Sequence, residues 1–133
     1  MGEKKYVFSK DEAVNGVLPG ATGTFRIYID SLTCGAKGVA FLQNTMRAGN
    51  VGVEHHHPGE HCMYVLSGKG TFNIEGKSYP MVSGTAIFVP PGIPHQIVVG
   101  PDEDIDYIVI YAPAGPEQKL REKGAHAFDD QKK

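Results

Sequence analysis

Residues 54–70 read EHHHPGEHCMYVLSGKG, and the reading of this stretch decides the fold. Four of the chain's six histidines fall inside it: His55, His56, His57 and His61. Side chains on a strand alternate between faces, so His55 and His57 share one side and His56 takes the other. His61 lies beyond the Pro-Gly-Glu turn and can return to the side of His55 and His57. Three imidazole nitrogens then approach one point, a donor set that suits zinc, copper, iron or nickel. From His61 the same alternation sends Met63 and Val65 inward and Cys62 and Tyr64 outward. The segment 61–68 reads as a strand, SGKG as a tight turn, and 71–76 as its hairpin partner.

Outward from this hairpin the pattern repeats. TFRIYID (24–30) and VAFLQNTM (39–46) are β-branched and aromatic runs bounded by glycine-rich breaks. The stretch 51–57 is a short strand, TAIFVPPGIPHQIVVG (85–100) is two strands around a rigid proline turn, and DIDYIVIYAP (104–113) is the last strong strand. Strands at this spacing, without strand–helix alternation, indicate an all-β sandwich or barrel. Residues 1–23 read as an N-terminal arm, 24–113 as the barrel, and 114–133 as a charged C-terminal tail. That tail reads either as a short helix around 116–123 or as a partly disordered end.

Bulk properties narrow the function classes. A length of 133 residues suits one domain, and a hydrophobic content of 41% supports a real core. A net charge of −2 gives no footprint for nucleic acid. No apolar run approaches the roughly 18–20 residues of a membrane span, and the charged N-terminus has no apolar signal core. Two cysteines, Cys34 and Cys62, make no disulfide framework, so a reduced, cytoplasmic setting is expected.

A further histidine, His95, stands in PPGIPHQIV, where Pro90, Pro91, Gly92 and Pro94 stiffen the backbone ahead of it. A stiff turn is a good device for delivering one ligand from a distant strand. No Ser-His-Asp set, paired carboxylates or phosphate loop is visible, so any catalysis must rest on a metal. The catalytic residues themselves are not identified. The interior face suggests Met63, Val65 and Ile97 as pocket residues, with Phe41 and Gln43, or their neighbours Leu42 and Asn44, from the preceding strand. Tyr28, Arg26, Tyr107 and Tyr111 are further contributors. A mostly apolar lining suits a small organic acid, diketone or aromatic molecule.

Together the two histidine segments resemble the cupin superfamily. Gly49, His55, His57 and Gly68 match the spacing of its first motif, and Gly84, Pro90, Gly92 and His95 match its second. The resemblance spans roughly residues 24–112. It implies a double-stranded β-helix, that is, a jelly-roll-like barrel of the small single-domain kind. His61 stands where the family usually has a glutamate ligand, and Val99 where it has asparagine. The resemblance therefore implies a metal site of His55, His57, His61 and His95. Glu60 is an alternative ligand, although the Gly68 spacing and the alternation favour His61.

A set of four imidazoles is neutral. It leaves a divalent ion its full charge, strengthens it as a Lewis acid and favours anionic guests. The expected cofactor is one divalent transition metal ion: iron, manganese, nickel, copper or zinc. The expected function is a metal-dependent enzyme acting on a small organic molecule, either an oxidoreductase of the dioxygenase type or a decarboxylase, lyase or isomerase. The alternative is a non-catalytic cupin that binds or senses a sugar or organic acid. The partner is then a small molecule, with no nucleic acid and no membrane, and the resemblance implies a homodimer.

Overall fold

The computed structural model describes residues 6–131. Nine strands form two antiparallel sheets. The larger sheet takes β1 (Val14–Val17), β2 (Gly23–Ile29), β3 (Ala40–Met46), β9 (Ile105–Ala112), β4 (Glu60–Ser67) and β7 (Ala86–Val89), in that order. The smaller takes β6 (Lys77–Val82), β5 (Lys69–Ile74) and β8 (His95–Val99). This is the all-β jelly-roll barrel expected from the sequence.

Alternation puts one row of each strand into the space between the sheets. On β2, Phe25 and Ile27 are buried; on β4, His61, Met63 and Val65; on β9, Ile105, Tyr107, Val109 and Tyr111. Register then fixes who meets whom across the larger sheet. Asn44 of β3 lies opposite Tyr107 of β9, which lies opposite Val65 of β4, and His61 lies between Tyr111 and Val89. Gly68 closes the β4–β5 turn at φ +95°, and a Cβ there would sit 2.1 Å from the Asp104 carbonyl oxygen. No other residue fits that combination of left-handed backbone and close approach.

The segment before residue 23 is built into the barrel, because β1 pairs with β2 from Val14↔Ile27 to Val17↔Thr24. At the other end the helical reading of the tail holds. Helix α2 (Glu117–Lys123) is followed by 3-10 turns at Gly124–His126 and Asp129–Gln131. The tail buries Leu120, Ala127 and Phe128 against the barrel. Its anchor is Asp30, the N-cap of the short helix α1 (Ser31–Cys34), whose carboxylate is wholly buried. That carboxylate accepts hydrogen bonds from the amides of Leu32 and Thr33, from Gln118 at 2.9 Å and from the Arg121 guanidinium. One buried carboxylate thus joins the end of β2 to α2.

Candidate metal centre and cavity

His55 and His95 come from chain segments far apart in sequence, yet their backbones form an antiparallel bridge. The His55 amide donates to the His95 carbonyl at 3.1 Å, and the His95 amide donates back at 3.0 Å. Each ring is then oriented locally. Nδ1 of His55 lies 2.8 Å from the Val53 carbonyl and Nδ1 of His95 lies 2.8 Å from the Ile93 carbonyl. A carbonyl can only accept, so each Nδ1 carries the proton, and Nε2 is left as a lone-pair donor. The proline-stiffened turn before His95 is held as well, because the Gly92 amide donates to the His57 carbonyl at 2.9 Å.

Potential ligand atoms of His55, His57 and His95 lie within 4.8 Å of one another. His61 is next to them, its ring centroid 4.5 Å from that of His57 and 5.0 Å from that of His95. Its nitrogens fall outside the tight group of three. Glu60 is exposed and also outside the group. His56 is exposed, and the stretch 51–57, expected as a short strand, forms only isolated bridges at Val51 and His55.

The electrostatics of the cluster fit a cation. Burial is the main cause that pushes His55 down to about 3, His57 to about 4 and His61 to about 2, and each histidine's neighbours add to the effect. Burial lowers His95 in the same way. All four imidazoles are therefore neutral at pH 7, with their lone pairs free. Both ring nitrogens of His57 and Nδ1 of His61 are buried without a hydrogen-bond partner among the described residues. Buried polar atoms are rarely left orphaned, and a shared metal ion would satisfy them. The residues present fit such an ion by donor type, protonation and proximity.

Beside the cluster opens a cavity of about 540 Å³, counting its mouth. His55, His61 and His95 line one part, and Met46, Met63, Ile97 and Val109 form apolar walls. Asn44 and Tyr107 also reach it. Of the pocket residues expected from sequence, Met63, Ile97, Tyr107 and Tyr111 line the cavity, and so does Asn44, the alternative to Gln43. Val65 is wholly buried in the core without reaching it. Phe41, Gln43 and Tyr28 are corrected. Strand β3 buries Ala40, Leu42, Asn44 and Met46, so Phe41 and Gln43 sit on its other face. There Tyr28 packs edge-on to Phe41 at 6.0 Å and its hydroxyl lies 3.4 Å from Gln43 Oε1. Cys62 and Cys34 are exposed and free.

Phe128 is the residue that sequence reasoning missed. Its ring stacks on His55 with centroids 4.0 Å apart and planes 13° from parallel. Leu120 joins it in the cavity lining. The end of the tail is pinned next to the site, where Gln131 accepts from the His56 amide at 2.9 Å and donates to the His56 carbonyl at 2.8 Å. The available signal was weak: Leu120 and Phe128 are isolated large apolar residues in an otherwise charged segment.

With this geometry in place, comparison with known proteins is informative. The sequence profile of the Cupin_2 family, the cupin domain, matches residues 43–111. A polyketide synthase, CurC, from Streptomyces cyaneus is 25% identical over 99 residues. The match takes in 74% of this chain but spans only 64% of that relative's length. Among solved structures, the polyketide cyclase RemF from Streptomyces resistomycificus superposes with a TM-score of 0.71 at 22% identity. The match covers 92% of this chain and 97% of that one. An oxalate decarboxylase variant from Bacillus subtilis gives a TM-score of 0.69 at 19% identity, covering 80% of this chain and 29% of that one. At such identities these two structures speak to the fold.

Proposed function

Since the chain belongs to the cupin domain family, we propose that it is a metal-dependent enzyme acting on a small oxygenated organic molecule. His55, His57 and His95 hold one divalent transition metal ion, with His61 as the fourth ligand. The observation that carries this reading is the set of neutral, buried imidazoles, some with orphaned nitrogens, at the wall of an apolar cavity. A divalent ion held there supplies Lewis acidity toward a carbonyl, enolate or carboxylate oxygen.

The chain's own residues do the rest. Val53 and Ile93 fix the tautomers of His55 and His95 through their carbonyls. Phe128 holds the His55 ring flat and keeps water off one of its faces. Met46, Met63, Ile97 and Val109 select an apolar body and exclude water from the reacting end. Kinship with proteins named for polyketide synthesis and cyclisation favours an enolisable, multiply oxygenated substrate and non-oxidative chemistry, that is, a cyclase, lyase or decarboxylase.

Chelator-treated protein titrated with zinc, nickel, manganese and iron(II) in a calorimeter tests the site. One ion per chain is expected. His95→Ala should weaken binding at least about 100-fold, since it removes a ligand outright, where loss of a mere ligand support typically costs 10–100-fold. Wild-type affinity in His95→Ala, or no binding at all by the parent, would falsify the metal reading. Turnover of a panel of polyketones, phenols and organic acids by the metal-loaded protein tests the enzymatic part. Failure across the panel, with ligands still binding, would favour a non-catalytic binder.

Phe128→Leu keeps an apolar side chain but loses the flat stack on His55. Its metal affinity should fall about tenfold, at the lower end of the effects seen when a ligand's support is removed. Unchanged affinity in the same calorimetric titration would show that the stack does not orient His55.

A further inference from the structure

Asn44 and Tyr107 form a polar pair in the cavity wall that the metal reading leaves unused. They face each other across β3 and β9, both inward, at 3% and 4% exposure. Asn44 Nδ2 donates to the Tyr107 hydroxyl at a long 3.4 Å, and Asn44 Oδ1 has no partner among the described residues. Because Tyr107 accepts that bond, its own proton is free to donate. Turning the amide over merely transfers the orphan to Nδ2. Either way the pair holds unspent hydrogen-bonding capacity in a place where leucine and methionine would pack without cost. Burial raises the Tyr107 hydroxyl to about 12, so it stays a neutral donor at any physiological pH.

Its position gives the pair meaning. Tyr107 is four residues along β9 from Tyr111, the residue opposite His61. At about 3.4 Å per residue, the two backbone levels are about 14 Å apart. Apolar Met63 and Val109 lie on the rows between them. The cavity therefore has a polar end at the histidines, an apolar middle, and a second polar end at Asn44 and Tyr107.

We propose that Asn44 and Tyr107 form a distal subsite that takes a hydroxyl or carbonyl oxygen of a ligand whose other oxygenated end is at the histidines. The ligand class is an elongated, largely apolar or aromatic molecule oxygenated at both ends. This rests on the reading of the cavity as the ligand site. A single-ended ligand would leave the distal pair unsatisfied, and sites built to hydrogen-bond a hydroxyl discriminate strongly against analogues that lack it.

Two probes separate the ends: 2-naphthoic acid, with a carboxylate for the metal end, and 6-hydroxy-2-naphthoic acid, which adds an oxygen at the far end. Cobalt-loaded protein is titrated with each, the visible bands reporting carboxylate at the metal and calorimetry giving affinity. The distal hydroxyl should improve binding about tenfold or more. Tyr107→Phe and Asn44→Leu should each cut that ratio to below about threefold. Because the measured quantity is a ratio within one variant, general loosening of the fold does not mimic the effect. Equal binding of the two acids by the parent, or an undiminished ratio in both variants, would overturn the subsite while leaving the metal-end reading intact. If neither acid binds and the cobalt bands do not shift, the cavity is not the ligand site and both readings fall.

Discussion

Stripped of metal, the protein is expected to lose its fold as pH drops from 7 to about 5. The cause is the same burial that prepares the cluster for a cation. In the unfolded chain a histidine takes a proton near pH 6.5, whereas in the folded chain His55, His57 and His61 resist protonation down to about 3, 4 and 2, and His95 is lowered too. Depressed folded values mean that the stabilisation is complete above about 6.5 and is lost progressively below it. Each excluded proton costs about 1.4 kcal/mol per pH unit, so His55, His57 and His61 together approach about 4 kcal/mol per unit. Whole domains are stable by only about 5–15 kcal/mol. Urea denaturation of metal-free protein between pH 8 and 5 checks this, with His61→Gln expected to flatten the slope by about a third. A pH-independent stability of the metal-free form across that range would refute the expectation.

Asp30→Ala should destabilise the protein by about 3–5 kcal/mol, the usual result of removing one partner from a buried ion pair. The substitution orphans two amides of α1 and strips Arg121 of its counter-charge. Burial by itself raises the Asp30 carboxyl, but hydrogen bonds from Arg121, the Thr33 amide and Gln118, with the charge of Arg121, outweigh it and hold the group below its ordinary 3.8. This contribution is therefore intact at pH 5 and fades only as pH falls below about 4, which separates it from the histidine effect. The double variant Asp30→Leu with Arg121→Met should recover most of the loss, because apolar replacement of a buried pair is often neutral. Chemical denaturation at pH 7.5 measures both. Because α2 leads directly to Phe128, Asp30→Ala should also weaken metal binding, a coupling that a purely local defect would not produce.

The sequence made some of this legible and hid the rest for physical reasons. His55, His57 and His95 were readable because alternation and a proline-stiffened turn are local properties, and the barrel followed from strand runs punctuated by glycine. The face of β3 was not readable. Its two rows, Phe41-Gln43-Thr45 and Leu42-Asn44-Met46, each open with a large apolar residue and an amide and differ only in Thr45 against Met46, so local pattern gives a weak phase. Pairing of Asn44 with Tyr107 and of Leu42 with Val109 decides it, and that is long-range information. The tail was hidden for the same reason. The stack of Phe128 on His55 joins residues far apart along the chain, and nothing near Phe128 announces it.

The reciprocal amide bridge between His55 and His95 means that the segment between β3 and β4 and the start of β8 hand over their imidazoles already spaced, before any cation arrives. Little ordering entropy is left to be lost on loading, which favours affinity. Those two amides should exchange slowly with deuterium in loaded and unloaded protein alike. The socket is a product of strand registration; the ion is its guest and not its architect.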